Sequence, residues 1–222
     1  MPRNNRTGPR SKRGVADATT APATNPARHA APLPGGRGEV RIIGGEWRGR
    51  KLHFPQAGSL RPTPDRVRET LFNWLQFELA GARCLDLFAG SGALGLEALS
   101  RGAAAVQFVE PDPAAARAIG DALRTFGSDR GRVAQQDAFA FLRGHPAEPY
   151  DIVFLDPPYA EQWLGRACTE LEGGGWLKPG AFVYLEDAAS RGAPVLPEGW
   201  NLLRSKKAGD VGYHLARRHN TT

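Results

Sequence analysis

Long apolar runs are missing from this chain of 222 residues, and none reaches the roughly 18 consecutive apolar residues that a membrane-crossing helix needs. Cysteine is scarce too: Cys84 and Cys168 are the only two, and the five histidines are scattered. That excludes a disulfide framework and a clustered zinc site, so no metal is expected. The first residues contain no apolar stretch of the kind a secretory signal carries. Residues 1–13 are basic but lack the apolar helical face of a transit peptide. A reducing cytoplasm is the expected compartment. Acidic residues are short at one end only. Residues 1–40 carry seven Lys or Arg against two Asp or Glu, residues 41–70 seven against three, and the remainder 15 against 18. The net charge of +6 therefore arises wholly in the first third. Such asymmetry fits an acidic polymer as partner, or a solvated tail that aids solubility.

Residues 1–38 hold almost no large apolar side chain. They cannot bury enough surface to offset the entropy of ordering, so a disordered basic tail is expected. "VRIIGGEWRGRKLHF", 40–54, reads as a hairpin around Gly44 and Gly45, with strands at 40–43 and 50–54. In the next segment Thr63 fits a helix N-cap and Pro64 the first helical position. Val67, Leu71, Trp74 and Leu75 then recur at helical spacing, with Arg66 and Arg68 off that face. From residue 83 strands and helices alternate. Strands are expected at 83–88, 104–110, 132–136, 150–156 and 181–187, and helices at 91–101, 113–126, 137–143 and 161–171. This pattern implies a mostly parallel sheet covered on both faces. Two extended runs joined at Gly209 and Asp210 then imply a final antiparallel hairpin. The expected organisation is a tail at 1–38, an RNA-contacting hairpin and helix at 39–80, and a catalytic α/β domain at 81–222.

"CLDLFAGSGALGLEAL", 84–99, runs from a strand through Gly90-Ser91-Gly92 into a helix. Glycines there let the backbone turn tightly and approach a ligand closely. With Gly95, and with Glu110 twenty residues after Gly90, the stretch also matches a dinucleotide-binding fingerprint, which would admit NAD. Asp86 separates the two readings. A pyrophosphate is disfavoured beside an extra carboxylate, whereas a cation is favoured. S-adenosylmethionine carries a sulfonium and an ammonium and no phosphate. Asp86, Glu110 and Asp137 all fall at or just beyond strand ends, the edge where open α/β sheets bind ligands. Asp137 also fits a helix N-cap.

"VFLDPPYA", 153–160, ends a strand at the same edge with Asp156-Pro157-Pro158-Tyr159. Proline cannot donate to a sheet, so the strand must stop. Asp156 and Pro157 each precede a proline, which confines both to extended backbone. Their carboxylate and carbonyl are thereby fixed as two acceptors for an amine. An exocyclic base amine is a poor nucleophile because its lone pair is delocalised. Two acceptors on its hydrogens favour the pyramidal geometry needed for attack. Tyr159 offers a stacking face for a base. Near the start, Arg48, Arg50, Lys51, Arg61, Arg66 and Arg68 are candidates for phosphate contact. Trp47 among them suits either hairpin packing or RNA stacking.

"RIIGGEWRGRKL", "LRPTPDRVRETLFNWL", "LDLFAGSGALGLEALSRGA" and "VFLDPPY" closely resemble the bacterial small-subunit ribosomal RNA (guanine-N2)-methyltransferases of the RsmD type. The resemblance spans about 40–217. It implies a class I methyltransferase fold with a seven-stranded, Rossmann-like sheet. It implies S-adenosylmethionine as cofactor and N2-methylguanosine in 16S rRNA as product, made on an assembled or assembling small subunit. It places a cofactor pocket on Asp86, Phe88, Ala89, Gly90, Ser91, Gly92, Glu110, Pro111, Asp137, Ala138 and Thr63. The catalytic loop falls on Asp156, Pro157, Pro158 and Tyr159. Tyr159 stands where relatives often carry Phe, and stacking should survive that difference.

Three rivals compete. An amino-methyltransferase for DNA adenine or cytosine, or for protein glutamine, would use the same loop, but a DNA enzyme usually needs a target-recognition region that no segment here is long enough to form. An NAD-dependent dehydrogenase needs a His or Lys near the strand ends, and none lies there. A non-catalytic binding module would be expected to have a degraded glycine loop, and this one is intact.

Overall fold

The computed structural model describes residues 37–55, 63–158 and 163–219. Residues 1–36 of the expected tail and the candidates Arg61 and Tyr159 lie outside those residues, while Arg37 and Gly38, expected in the tail, pair in the first strand. Strands β1 (Arg37–Arg41) and β2 (Lys51–Pro55) form an antiparallel hairpin, followed by α1 (Asp65–Trp74). Then come β3 (Arg83–Asp86), α2 (Ala93–Ser100), β4 (Ala105–Val109), α3 (Pro113–Thr125), β5 (Gly131–Ala134) and α4 (Ala138–Leu142). The chain continues with β6 (Tyr150–Leu155), α5 (Leu164–Gly173), β7 (Leu177–Ala188), β8 (Trp200–Ala208) and β9 (Val211–Arg218).

The seven later strands form one sheet in the order β5-β4-β3-β6-β7-β9-β8. The first five run parallel, and β9 pairs antiparallel with both β7 and β8. Strand order reverses between β3 and β6, and at such a point the connections lead away on both sides and open a crevice at the carboxyl edge. The central strands are apolar throughout because both faces are covered. On β6, Ile152 and Phe154 face a core built with α1, α2 and α3, while Val153 and Leu155 face one built with α4 and α5. The N-terminal hairpin contributes Val40, Ile42, Trp47, Leu52 and Phe54 to the first of these cores.

The hairpin strands start and stop differently from the reading at 40–43 and 50–54. Ile43 and the turn residue Gly44 donate their backbone N–H groups to the Glu97 carboxylate at 2.7 and 2.8 Å, which takes Ile43 out of the ladder. Helix α2 starts at Ala93, two residues later than expected, because Gly92 sits at φ 75° and cannot join a right-handed helix. Gly95 serves helix-to-sheet packing. A Cβ there would lie 2.2 Å from the Phe108 ring of β4.

Thr63 is not an N-cap. Pro64 precedes Asp65, the first helical residue, and no side chain caps the helix. Arg68 is not on an exposed face either. It is 0% exposed, donates to the Arg41 carbonyl at 2.8 Å, and pairs with Asp65 at 2.6 Å and Glu97 at 3.7 Å. That burial removes Arg68 from phosphate contact and makes it part of the packing of α1.

Candidate active site

Three carboxylates line the carboxyl edge of neighbouring strands. Asp86 ends β3, Glu110 follows β4 and Asp156 follows β6. Asp86 is 2% exposed and its Oδ2 accepts the Gly95 N–H at 2.9 Å. Burial, and secondarily the Glu110 charge, push its pKa up to about 7 against the Gly95 bond. Glu110 accepts the Gly90 N–H at 2.7 Å and the Asp112 N–H at 2.8 Å. Burial raises its pKa too, despite those bonds.

These bonds bear on the ligand. In a dinucleotide site the glycine-loop N–H groups and the helix N-terminus face a pyrophosphate. Here the loop N–H of Gly90 is occupied by Glu110, and the N–H of Gly95 in the first turn of α2 by Asp86. A second anion would meet two carboxylates instead of donors. The same acids suit a cation and ribose hydroxyls, so the residues fit S-adenosylmethionine and not NAD. Ala89 is buried, and Phe88 and Ser91 are half-buried beside the crevice. Phe88 stacks on Trp163 at 6.0 Å between centroids and meets Phe139 edge-on at 6.3 Å. Pro111 is exposed, Ala138 is buried, and Asp137 is exposed with its Oδ1 accepting the Ala140 N–H at 2.9 Å. The capping role of Asp137 is thus present in the fold, and its position near the edge leaves an oxygen lone pair for a ligand amine.

Asp156 is held from an unexpected direction. Thr63, 5% exposed, donates its hydroxyl to Asp156 Oδ2 at 3.0 Å across 93 residues of sequence. Glu186 is the second partner that sequence reading missed. Leu155 pairs with Leu185, so Glu186 stands beside Asp156 on the next strand, 2% exposed, with the Tyr184 hydroxyl donating to it at 2.7 Å. Burial first, then the Glu186 and Asp86 charges, raise the Asp156 pKa well above the ordinary carboxylate range, and Thr63 opposes them. "YLED" in strand β7 was the available signal for Glu186, but its value depends on β7 lying next to β6. Pro157 is buried and Pro158 exposed. Cys84 and Cys168 are buried, and burial raises both thiols, so neither is a nucleophile.

Among the proposed phosphate contacts, Arg48, Arg50, Lys51 and Arg66 are exposed. Arg50 lies 4.2 Å from the Phe126 ring and donates to the Thr125 carbonyl, and Lys51 pairs with Glu39 at 2.9 Å. Trp47 is 3% exposed and packs on Phe126 at 4.8 Å, so it serves the hairpin core and not stacking on RNA.

The chain matches the family described as Conserved hypothetical protein 95 over residues 40–217. It is 48% identical to "Ribosomal RNA small subunit methyltransferase D" of Escherichia coli (strain K12) over 187 residues, covering 84% of this chain and 94% of that protein. The protein of the same description from Haemophilus influenzae is 45% identical, with 82% and 95% covered. A solved structure from Escherichia coli, yhhF, matches at TM-score 0.77 and 46% identity, covering 83% of this chain and 100% of that one. The fold alone is shared with the Thermus thermophilus 16S rRNA N2 G1207 methyltransferase (RsmC), solved with AdoMet and guanosine, at TM-score 0.59 and 22% identity, covering 85% of this chain and 52% of that one. The chain belongs to the family described as Conserved hypothetical protein 95, as a relative of ribosomal RNA small subunit methyltransferase D.

Proposed function

We propose that this chain transfers a methyl group from S-adenosylmethionine to the exocyclic N2 amine of a guanine in 16S rRNA, within the small ribosomal subunit or its assembly intermediate. One observation carries the reading: a half-buried carboxylate, Asp156, stands beside the acid-lined glycine loop with its orientation fixed by Thr63 and two following prolines. The relatives named for small-subunit rRNA methylation support the substrate class.

Asp86 and Glu110 would hold the cofactor's ammonium and ribose, with Asp137 and Ala138 beside its adenine. Bound there, S-adenosylmethionine supplies a methyl carbon on a sulfonium, an electrophile that needs no metal. The chain supplies the rest. Each carboxylate oxygen has two lone pairs, so the Thr63 bond leaves Asp156 able to accept from an amine N–H. The Pro157 carbonyl is the second acceptor. Their extended backbone is imposed by the prolines, so little reorganisation is needed when the amine arrives. As nitrogen gains the methyl carbon it becomes positive and must shed a proton. Asp156, its pKa raised by burial and by Glu186, is a suitable acceptor for that proton. Tyr159 and the exposed Arg48, Arg50, Lys51 and Arg66 would hold the base and its phosphates. The place of action is the cytoplasm, where such subunits are built.

The test uses labelled S-adenosylmethionine and small subunits lacking the modification. The expected result is label on 16S rRNA alone, released as N2-methylguanosine on nucleoside digestion. Label on another base position, on DNA or on protein would refute the assignment.

A further inference from the structure

The hairpin that closes the sheet carries charge with an uneven layout. Strand β8 is an edge, paired only with β9. Its amino half reads Trp200, Asn201, Leu202 and Leu203, and both leucines are 39% exposed. Its carboxyl half carries Arg204, Lys206 and Lys207, all exposed. Edge strands often carry lysines to block pairing with another chain. Such protection should cover the apolar half, yet here that half is bare and the charge sits at the other end.

The register says which end that is. Glu186 pairs with Tyr213, and Tyr213 with Lys206. Glu186 stands beside Asp156 on β6, so Lys206 lies in the row of the catalytic carboxylate. The row crosses three strand spacings of about 4.8 Å, which places Lys206 about 14 Å from Asp156. Lys207 lies one step further toward the catalytic edge, paired with Gly212. Among the described residues, none of Arg204, Lys206 and Lys207 forms an ion pair with a carboxylate. Lys206 stands 6.0 Å from the ring of Trp74, which is half-buried on α1 and stacked on Tyr213 at 5.5 Å. Cations in line with a reaction centre, with an aromatic face beside one of them, fit a polyanion carrying bases.

We infer that the carboxyl half of β8, with Trp74, is a second rRNA-binding surface that grips the backbone a few nucleotides from the target guanine. It stands at the opposite end of the chain from the basic N-terminal third, and it rests on the rRNA reading above. A strand gripped here as well as at Asp156 is positioned as well as bound.

The experiment replaces all three cations in the full chain, as R204E/K206E/K207E, with R204Q/K206Q/K207Q as a gentler second variant. Binding to protein-free 16S rRNA is measured across a salt series, and methylation of small subunits alongside. Expected for the glutamate variant is at least roughly tenfold weaker rRNA binding and a salt slope shallower by roughly 2 to 3, one phosphate per cation. The KM for subunits should rise in step, with kcat at saturation and cofactor affinity holding. The glutamine variant should show the same flattened slope with a smaller loss. Unchanged affinity and slope on protein-free rRNA in both variants would overturn the inference. That holds even if subunit methylation fell, since the face would then meet a ribosomal protein. Because the binding arm needs no turnover, failure of the functional reading shows separately, as a wild-type chain that binds rRNA and labels none of it.

Discussion

Asp86 is the residue on which stability and ligand binding pull apart. Its pKa of about 7 in the fold exceeds its ordinary value of 3.8. The fold therefore favours the protonated form. That contribution to stability is complete below about pH 4 and is lost as pH rises through about 7, amounting to as much as about 4 kcal/mol. Asp86→Asn keeps a neutral side chain at every pH. Thermal unfolding should show the variant falling less steeply than the wild type from about pH 5 to about pH 7, the remaining slope coming from Glu110 and Asp156, whose pKa values are also raised. S-adenosylmethionine affinity of the wild type should rise with pH over the same interval, since a cation favours the ionised acid, and the variant should lose that rise. Identical pH dependences in the two chains would contradict the role. Asp86, Glu110 and Asp156 were legible because each follows an apolar run that must be a strand. Glu186 was not, since it depends on strand order, and Thr63 was singled out for the cofactor pocket without its bond to Asp156, which reaches across 93 residues. Arg68 misled for a related reason. Local spacing placed it off the apolar face, but its partner Glu97 lies in another helix.

At the scale of elements, α2 joins the site to the N-terminal hairpin. Its first turn carries Gly95, bonded to Asp86, and its last carries Glu97 and Ser100. Glu97, 0% exposed, accepts two backbone N–H groups of the hairpin turn and the Arg101 guanidinium at 2.6 Å, with Arg68 at 3.7 Å. Ser100 Oγ accepts the Trp47 N–H and donates to the Gly44 carbonyl. Gly45 is required there, with φ 76° and room for no Cβ, which would lie 1.9 Å from the Ser100 carbonyl oxygen. Removing one partner from a buried ion network leaves the others uncompensated, typically at 3–5 kcal/mol. Glu97→Ala should therefore lower the unfolding free energy by about 3 kcal/mol or more in denaturant titrations, whereas a loss below about 1 kcal/mol would mean the clamp is a surface contact. Element identities were readable because hydrophobic period and glycine position are local. Boundaries shifted where a tertiary partner intervened, as when Glu97 drew Ile43 out of the β1–β2 ladder.

At the scale of the molecule, one sheet edge gathers Asp86, Glu110, Asp156, Glu186 and Thr63. Alternation of strands and helices forces the parallel order, and the reversal between β3 and β6 opens the crevice there. Strand β8 runs toward that edge before the turn at Gly209 and Asp210, so its cations lie in its carboxyl half near the same edge. The hairpin was visible in the sequence, but the register that aligns Lys206 with Asp156 was not, because it is set by pairing across four strands. The central claim is that Asp156 performs the chemistry without holding the cofactor. Its direct test is single-turnover methylation of small subunits by Asp156→Ala, with S-adenosylmethionine affinity measured on the same preparation. The expected result is loss of turnover by at least about a thousandfold, roughly 4 kcal/mol of transition-state stabilisation, with cofactor affinity changed by no more than about threefold. A variant that methylates at close to the wild-type rate, or that fails only because it no longer binds the cofactor, would contradict it.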